Sequence, residues 1–113
     1  MAMLKELLGT TVTVTVDRPM GSRHPKFPDL IYTVNYGFIH GLLGGDGEEQ
    51  DAYILGVDEP ISSFVGRVIA IIHRLNDVED KLVVAPDGVT FTREQIIEQT
   101  SFQERYFNST VRV

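Results

Sequence analysis

Hydrophobic and polar residues alternate with a period of two along several short stretches of the chain. The clearest is 10–16, where threonine and valine take turns until Asp17 and Pro19 interrupt the pattern. Such alternation is typical of a strand with one face buried. Further runs of β-branched or aromatic residues, bounded by Gly, Pro, Asp or Asn, lie at 31–39, 52–55, 66–73 and 81–85. The pattern therefore predicts about five strands.

One segment near the C-terminus is predicted to be helical. Thr92 is followed three residues later by Gln95, which is the spacing of a capping box, so a helix is expected to begin here and run to about Tyr106. Short strands and a late helix in a chain of 113 residues favour a mainly β (α+β) fold, a small closed barrel with a C-terminal helix. The length and a hydrophobic content of 42% predict a single domain over residues 1–113.

Composition narrows the possible chemistry. The sequence has no cysteine, so disulfides and thiolate metal sites are excluded, and carboxylate and histidine remain as strong metal ligands. The histidines, at positions 24, 40 and 73, lack the spacing of a zinc site. The glycine-rich stretch 41–45 lacks the Gly-Lys-Ser/Thr ending of a P-loop, and no serine lies in a nucleophile elbow.

The charge balance excludes some classes of partner. A formal net charge of -6, with only 10 scattered lysines and arginines, argues against nucleic-acid binding, which needs clustered cations. The sequence contains no apolar run long enough to span a membrane and no convincing signal peptide. We therefore expect a cytoplasmic protein without a nucleic-acid or membrane partner.

The most distinctive polar segment is the acidic turn 46–51, Asp-Gly-Glu-Glu-Gln-Asp, which directly follows a pair of glycines. It carries spaced carboxylates at Asp46, Glu48 and Asp51. Mg²⁺ prefers oxygen ligands and keeps waters that a phosphate can replace, so converging carboxylates suit a metal site that is open to substrate. The alternative is an ordinary solvated loop.

A second acidic segment precedes the last predicted strand. If 77–81 is extended, Asp77, Glu79 and Lys81 point to one face, because side chains two residues apart share a side of a strand. Two carboxylates and one cation would then lie together. An exposed, salt-bridged strand edge is the alternative.

These segments, taken with Val16-Asp17-Arg18 and the Asn-Tyr-Gly run at 35–37, resemble the soluble, family I type inorganic pyrophosphatases. The resemblance is at the level of motifs, runs from about Thr11 to Tyr106, and marks the chain as a short, divergent member. It implies an OB-type barrel and Mg²⁺-dependent hydrolysis of inorganic pyrophosphate to two phosphates by a metal-activated water. It also implies two or more Mg²⁺ ions, with Mn²⁺ as an alternative, and a homo-oligomer.

The resemblance assigns a role to each matching residue. The metal ligands would be Asp46, Asp51, Asp77 and Glu79. Glu48 would help to activate the attacking water, and Tyr36 would face the same site. The phosphate-binding residues would be Arg18, Lys81 and Tyr106.

The chain also departs from the family pattern. Phe107 stands where the family has a phosphate-binding lysine, and the family spacing before Lys81 leads to Arg74, so the Asp77 assignment requires a deletion. Glu48 and Glu79 each replace an aspartate. The family's N-terminal lysine and glutamate have no counterpart in residues 1–11. We expect weaker binding of an anionic substrate as a result.

The connection 21–30 is longer than the family usually has and brings Arg23, His24 and Lys26 close in sequence. We hypothesise that Arg23 and Lys26 supply replacement donors for a phosphate or another substrate group. The alternative is a basic surface loop stiffened by two prolines.

Two other functions remain open from the sequence. The chain could hydrolyse a nucleotide or another small phosphoanhydride, with the connection 21–30 contacting the part of the substrate that is not phosphate. It could also be a non-catalytic barrel that binds metal and phosphate.

Overall fold

The computed structural model describes residues 4–45, 47–75 and 79–113. Within these ranges the chain forms six strands, one α-helix and a short 3₁₀ turn. The elements in chain order are the 3₁₀ turn Leu4–Leu7, β1 (Thr11–Arg18), β2 (Asn35–Leu43), β3 (Glu49–Ile54), β4 (Ser63–Arg74), β5 (Asp80–Ala85), α1 (Arg93–Glu104) and β6 (Ser109–Arg112).

The first five strands close into a barrel. Antiparallel pairs join β1 to β2, β2 to β3 and β4 to β5, while β3 and β5 run parallel. An antiparallel pairing of β1 with β4 closes the ring, and β6 adds to β4. Because each barrel strand has a partner on both sides, the barrel leaves no long open edge. The predicted mainly β fold, a closed five-stranded OB-type barrel with a C-terminal helix, is confirmed.

Strands β1 and β2 come very close at Gly37. Val16 pairs with Gly37, and the register then shifts so that Arg18 lies opposite Tyr36. A Cβ on residue 37 would lie 1.9 Å from the carbonyl oxygen of Thr15, so the crossing requires a glycine. The shift brings Arg18 and Tyr36, both candidate site residues, side by side.

Apolar side chains pack on both faces of the barrel sheet. One cluster draws its buried members from the strands alone and includes Val14, Ile54 and Leu82. The other includes Val83 together with Ile96 of α1. Leu82 and Val83 fall in different clusters because successive strand residues point to opposite faces. The first cluster fills the barrel, and the second lies under the helix on the outer face.

Helix α1 begins at the predicted capping box. The Thr92 hydroxyl accepts a hydrogen bond from the Gln95 backbone, and the Gln95 side chain accepts one from the Thr92 backbone. The helix ends at Glu104, two residues before the predicted end. Its buried face includes the polar side chains of Gln103 and Glu104, which contribute to the site. No helix in the described part of the chain is both long and apolar enough to cross a membrane.

Several strands differ from the sequence prediction. Strands β3 and β4 each begin three residues before the predicted start. Strand β2 begins at Asn35 rather than at residue 31, because the preceding residues pair with their own loop: Ile31 forms an isolated bridge with Arg23. Strand β6 was not predicted, since it has four residues and only half of them are partly buried. It still matters for the site, because it follows directly on the segment that borders the cavity.

Candidate functional site

A cavity of about 750 Å³ opens on the outer face of the barrel, where the end of α1 leaves the sheet uncovered. The five barrel strands contribute Arg18, Tyr36, Asp51, Arg74 and Lys81. The other lining residues are Asp17 and Glu79, then His24, Phe27, Asp29, Leu30 and Tyr32 from the β1–β2 connection, and Gln103, Tyr106 and Phe107 from the C-terminal segment.

Lys81 lies between two carboxylates at the polar end of the cavity. Its ammonium nitrogen is 2.6 Å from Asp51 Oδ2 and 3.1 Å from Glu79 Oε2, and only 3% of its side chain is exposed. Glu79 directly precedes β5 and Lys81 lies within it. Their side chains point to the same face, as the period-two pattern predicted. An ammonium has three N–H donors, and the described residues use two of them, so one is available to a ligand.

Tyr36 lies beneath this ion pair. The Lys81 ammonium is 5.7 Å from the centroid of its ring, and the carboxylate of Asp51 lies beside its hydroxyl. Burial raises the pKa of Tyr36 well above its usual value, and the negative charge of Asp51 raises it further. The hydroxyl therefore stays protonated at neutral pH and acts as a hydrogen-bond donor. Tyr53 packs edge-on against the Tyr36 ring, with centroids 4.9 Å apart, which fixes the ring.

Arg74 supports the cavity from the opposite side. Its guanidinium donates to both oxygens of Glu104, at 3.1 and 2.7 Å, and to Glu79 at 3.4 Å. Tyr53 and Ser109 also donate to Glu104, at 2.6 and 2.9 Å. A single buried carboxylate thus joins β3, β4, α1 and β6, and Arg74 connects this network to Glu79 in the cavity wall.

Arg74 and Glu104 keep each other ionised, although both are buried. Burial alone would lower the pKa of Arg74, but the hydrogen bonds and charge of Glu104 outweigh it and raise the pKa above its usual value. Burial would likewise raise the pKa of Glu104, but hydrogen bonds from Arg74 and Tyr53 outweigh it and hold the pKa below its usual value. Both groups are therefore charged at neutral pH.

One further cation borders the cavity. Arg18, at the end of β1, forms no salt bridge with any of the described residues, so its guanidinium is available to an anion.

Phe107 stands where the family pattern has a lysine. The centroid of its ring lies 3.6 Å from the Arg74 guanidinium carbon. Arg74 thus places a cation next to Phe107, the position where the family has a lysine. The sequence feature that pointed to Arg74 was the family spacing before Lys81.

The structure brings together six of the predicted site residues, namely Arg18, Tyr36, Asp51, Glu79, Lys81 and Tyr106. Asp46 and Asp77 lie outside the described residues. Glu48 is exposed on the turn before β3 and does not line the cavity.

Arg23 and Lys26 differ from the expectation, because the 21–30 connection reaches the cavity through other residues. The Arg23 guanidinium donates to the carbonyl oxygen of Pro28 within the loop, and neither Arg23 nor Lys26 is among the lining residues. His24, Phe27, Asp29 and Leu30 line the cavity instead. The contribution of the insertion is therefore aromatic, apolar and acidic rather than cationic.

The described residues hold only part of a metal-ligand set. Among them, no three His, Asp or Glu side chains are grouped closely enough to hold an ion. A pocket of about 10 Å³, roughly the space of one water, does lie next to Asp51 and Glu79, and Gln50 also lines it. Gln50 Oε1 is buried without a hydrogen-bond partner among the described residues. The carboxylate and amide oxygens at this point belong to the class of ligand that Mg²⁺ prefers, and the Lys81 ammonium lines the same pocket.

Comparisons with known proteins find similarity to inorganic pyrophosphatases in both sequence and structure. No family model matches the chain. An inorganic pyrophosphatase of Corynebacterium efficiens is 27% identical over 110 residues, covering 80% of this chain and 70% of that protein. The crystal structure of an inorganic pyrophosphatase from Ehrlichia chaffeensis superposes with a TM-score of 0.70 at 14% identity, over 93% of this chain and 86% of that one. An inorganic pyrophosphatase from Neisseria gonorrhoeae gives 0.67 at 21% identity, over 87% and 74%.

The chain resembles the inorganic pyrophosphatases in sequence and shares their fold. The resemblance predicted from the motifs is confirmed. Within the pyrophosphatase fold, the cavity collects residues from all five barrel strands, while the 21–30 connection and the segment after α1 form its remaining walls. The departures from the family pattern, Arg74 and Phe107, contact each other in one of those walls.

Proposed function

We propose that this protein hydrolyses inorganic pyrophosphate to two phosphates in the cavity beside α1, with Mg²⁺ as cofactor. The observation that carries the proposal is the buried Lys81 ammonium held between Asp51 and Glu79, with Arg18, which has no salt bridge to the described residues, lining the same cavity. The pyrophosphatase fold and the 27% identical relative support the same reaction.

Arg18 and Lys81 bind the substrate in this proposal. A guanidinium matches two phosphoryl oxygens at once, and the remaining N–H of Lys81 donates to a third. The transferred phosphoryl group spreads negative charge over its oxygens, so cations fixed before the reaction stabilise the transition state. The hydroxyl groups of Tyr36 and Tyr106 add further donors along the same cavity.

The residues present fit a hard divalent cation by the chemistry of their donors. Asp51 and Glu79 would hold Mg²⁺, with the remaining predicted ligands, Asp46 and Asp77, outside the described residues. Bound Mg²⁺ would neutralise phosphate charge and lower the pKa of a water. Lys81 holds the two carboxylates together at neutral pH, which keeps them oriented for such an ion. Mn²⁺ is an alternative with the same ligand preference.

Hydrolysis also requires a group that orients the water or accepts its proton. Glu48 remains the predicted group from the sequence, although it is exposed on the turn before β3. A Glu48→Gln variant tests this role directly. Loss of turnover with retained pyrophosphate binding would support it, whereas unchanged turnover would exclude it.

The deciding experiment measures phosphate release from pyrophosphate with Mg²⁺, for the wild type and for Asp51→Asn and Lys81→Met. We expect release from the wild type, loss of release in Asp51→Asn, and a fall in kcat of about 10²–10³ in Lys81→Met, because one donor to the developing charge is removed. EDTA should abolish release. Asp58→Asn, which removes an exposed carboxylate outside the cavity lining, serves as the matched control.

Two outcomes would contradict the proposal. Release that persists equally in Asp51→Asn and in EDTA would point to a contaminating enzyme. A folded protein that binds pyrophosphate without releasing phosphate would favour the non-catalytic barrel instead.

We also propose that the protein forms a homo-oligomer. Large apolar side chains outside the cavity, including Leu43, Val65 and Leu75, are more than half exposed. Light scattering after size exclusion measures the mass, and a monomer at micromolar concentration would contradict this proposal. A cytoplasmic location, and the absence of nucleic-acid and membrane partners, stay predictions from the sequence.

A further inference from the structure

The residues that line the cavity include two groups of different chemistry. Arg18, Asp51, Glu79 and Lys81 form the first group, which we call the polar end. The second is an aromatic wall, which we define as His24, Phe27, Leu30, Tyr32 and Tyr106. Hydrolysis of a bare pyrophosphate uses only the polar end, so the aromatic wall needs a separate explanation.

The aromatic wall is held in place by its own loop. Backbone hydrogen bonds of 2.7–2.9 Å join Gly21 to Tyr32, Tyr32 to Ser22 and His24 to Leu30, so the connection folds as a small hairpin. The Nδ1 atom of His24 accepts hydrogen bonds from the backbone of Lys26 and Phe27, at 3.0 and 3.3 Å. These contacts fix the imidazole ring before any ligand arrives.

The rings of the wall are arranged for stacking. The His24 ring is nearly parallel to that of Tyr32, at 9° and 6.3 Å between centroids, and lies 5.0 Å from the Phe27 ring. Burial, and then the positive charges of Arg18 and Lys26, lower the pKa of His24, so its ring is neutral at neutral pH.

Two members of the wall are largely exposed in the absence of a ligand. Phe27 is 63% exposed and Tyr106 is 62% exposed, although both line the cavity. An exposed aromatic side chain at the mouth of a cavity can cover a planar group of a ligand, and such stacking does not depend on base identity. The two side chains come from the β1–β2 connection and from the segment after α1, so they border the cavity from different parts of the chain.

The size of the cavity agrees with a larger ligand. A volume of about 750 Å³ lies within the range of roughly 300–1,000 Å³ that is usual for sites of drug-sized molecules. Two phosphoryl groups would occupy the polar end and leave the volume beside the aromatic wall unfilled. A ligand that combines a diphosphate with a planar ring would fill both ends.

We infer that this site also accepts nucleoside diphosphates as substrates, with the diphosphate at Arg18 and Lys81 and the base on the aromatic wall. This inference rests on the proposed hydrolase function. Water attacks the terminal phosphorus and the bond from this phosphorus to the bridging oxygen breaks. The bridging oxygen leaves with the nucleoside monophosphate, and phosphate is the second product.

The test compares ADP, methyl diphosphate and pyrophosphate as substrates of the full chain with Mg²⁺. Methyl diphosphate has the same reacting group as ADP but no ring. We expect kcat/KM for ADP to exceed that for methyl diphosphate by about tenfold or more, which is the scale of one stacked base. In Phe27→Ala, the ratio of kcat/KM for ADP to that for pyrophosphate should fall about tenfold, while Ile97→Ala, at an exposed position of α1 outside the cavity lining, serves as the control that changes neither value.

The possible results separate this inference from the proposed function. Hydrolysis of pyrophosphate with equal kcat/KM for ADP and methyl diphosphate, or an unchanged substrate ratio in Phe27→Ala, would overturn the inference and leave the hydrolase in place. ADP binding by calorimetry that weakens about tenfold in Phe27→Ala, without turnover of any substrate, would support the ligand class and overturn the hydrolase. Because Phe27 is exposed, the variant is expected to fold.

Discussion

Arg74 donates to two carboxylates at once, Glu104 and Glu79, while only 4% of its side chain is exposed. The desolvation cost of such a guanidinium is offset only as long as its partners are charged and correctly oriented. Removing one partner leaves a buried charge without compensation. Removing both partners leaves a site that apolar side chains can fill.

We therefore expect Arg74→Met to lower the free energy of unfolding by about 3–5 kcal/mol. The double variant Arg74→Met/Glu104→Leu should lose less, because no charge stays buried. Arg67→Met removes an exposed arginine that pairs with Asp87 and should cost less than about 1 kcal/mol. Urea unfolding measures all three, and a double variant less stable than Arg74→Met would show that the pair stabilises the fold on its own account.

The same pair makes stability depend on pH. The pKa of Glu104 is lower in the folded state than its usual value of 4.5, so the group contributes stability above that value. The contribution is lost as the pH falls through the lower, folded pKa. We expect the wild type to lose more stability than Glu104→Gln between about pH 6 and pH 3, measured by urea unfolding. Parallel pH profiles for the two proteins would contradict this assignment.

Single residues of the site were predictable where a motif carries them. Asp51, Lys81 and Tyr36 lie in short segments with recognisable neighbours, and the structure brings them together. Glu104 was not predictable, because its partners Tyr53 and Arg74 are 51 and 30 residues away and no local pattern links them. Contacts of this kind follow from the closure of the barrel and not from sequence spacing.

Among the elements, the crossing of β1 and β2 depends on the absence of a side chain at Gly37. A methyl group there would overlap the Thr15 carbonyl, and both strands would have to separate. Arg18 and Tyr36, which face each other across this register shift, would move with them. The geometry of the phosphate end of the cavity is thus coupled to one backbone contact.

We expect Gly37→Ala to destabilise the protein more than Gly88→Ala. Gly88 has a φ of +82°, and a Cβ added there would meet no neighbouring atom within 4 Å. Alanine at this position therefore costs only the strain of a left-handed residue, about 1–2 kcal/mol. At Gly37, which is not left-handed, the cost comes from the overlap with the Thr15 carbonyl and the loss of strand pairing, and we expect pyrophosphate binding to weaken as well. Thermal unfolding with calorimetric binding checks both effects, and equal stabilities of the two variants would contradict the steric account.

The elements themselves were predictable to different degrees. The alternation of threonine and valine predicts β1 because one face of that strand is buried, and the capping box predicts the start of α1. The start of β2 was predicted four residues too early, since Ile31 and Tyr32 continue the apolar and aromatic run but pair within their own loop. Strand β6 escaped prediction because its stability comes from pairing with β4 and not from its own pattern.

Across the whole molecule, cations are gathered at one site. The protein carries a formal net charge of -6, and Arg18, Arg74 and Lys81 lie around one cavity together with four carboxylates. The carboxylates that contact Lys81 or Arg74 are already paired, so an added anion meets Arg18, which has no salt bridge to the described residues, and the remaining donor of Lys81. The closed barrel makes this possible, because it brings β1 and β5, which do not pair with each other, to the same cavity.

Ligand binding to such a site should stabilise the whole fold. At a pyrophosphate concentration 100 times its Kd, folding gains about 2.7 kcal/mol, which raises the Tm of a domain of this size by about 10 °C. In EDTA the shift reports binding by the cations of the chain alone, and Mg²⁺ should increase it. Arg18→Met should reduce the shift in EDTA, whereas Arg67→Met, which removes an arginine away from the cavity, should retain it. An Arg18→Met protein with the full wild-type shift would mean that pyrophosphate binds elsewhere, because Arg18 is the cation in the cavity that has no salt bridge to the described residues.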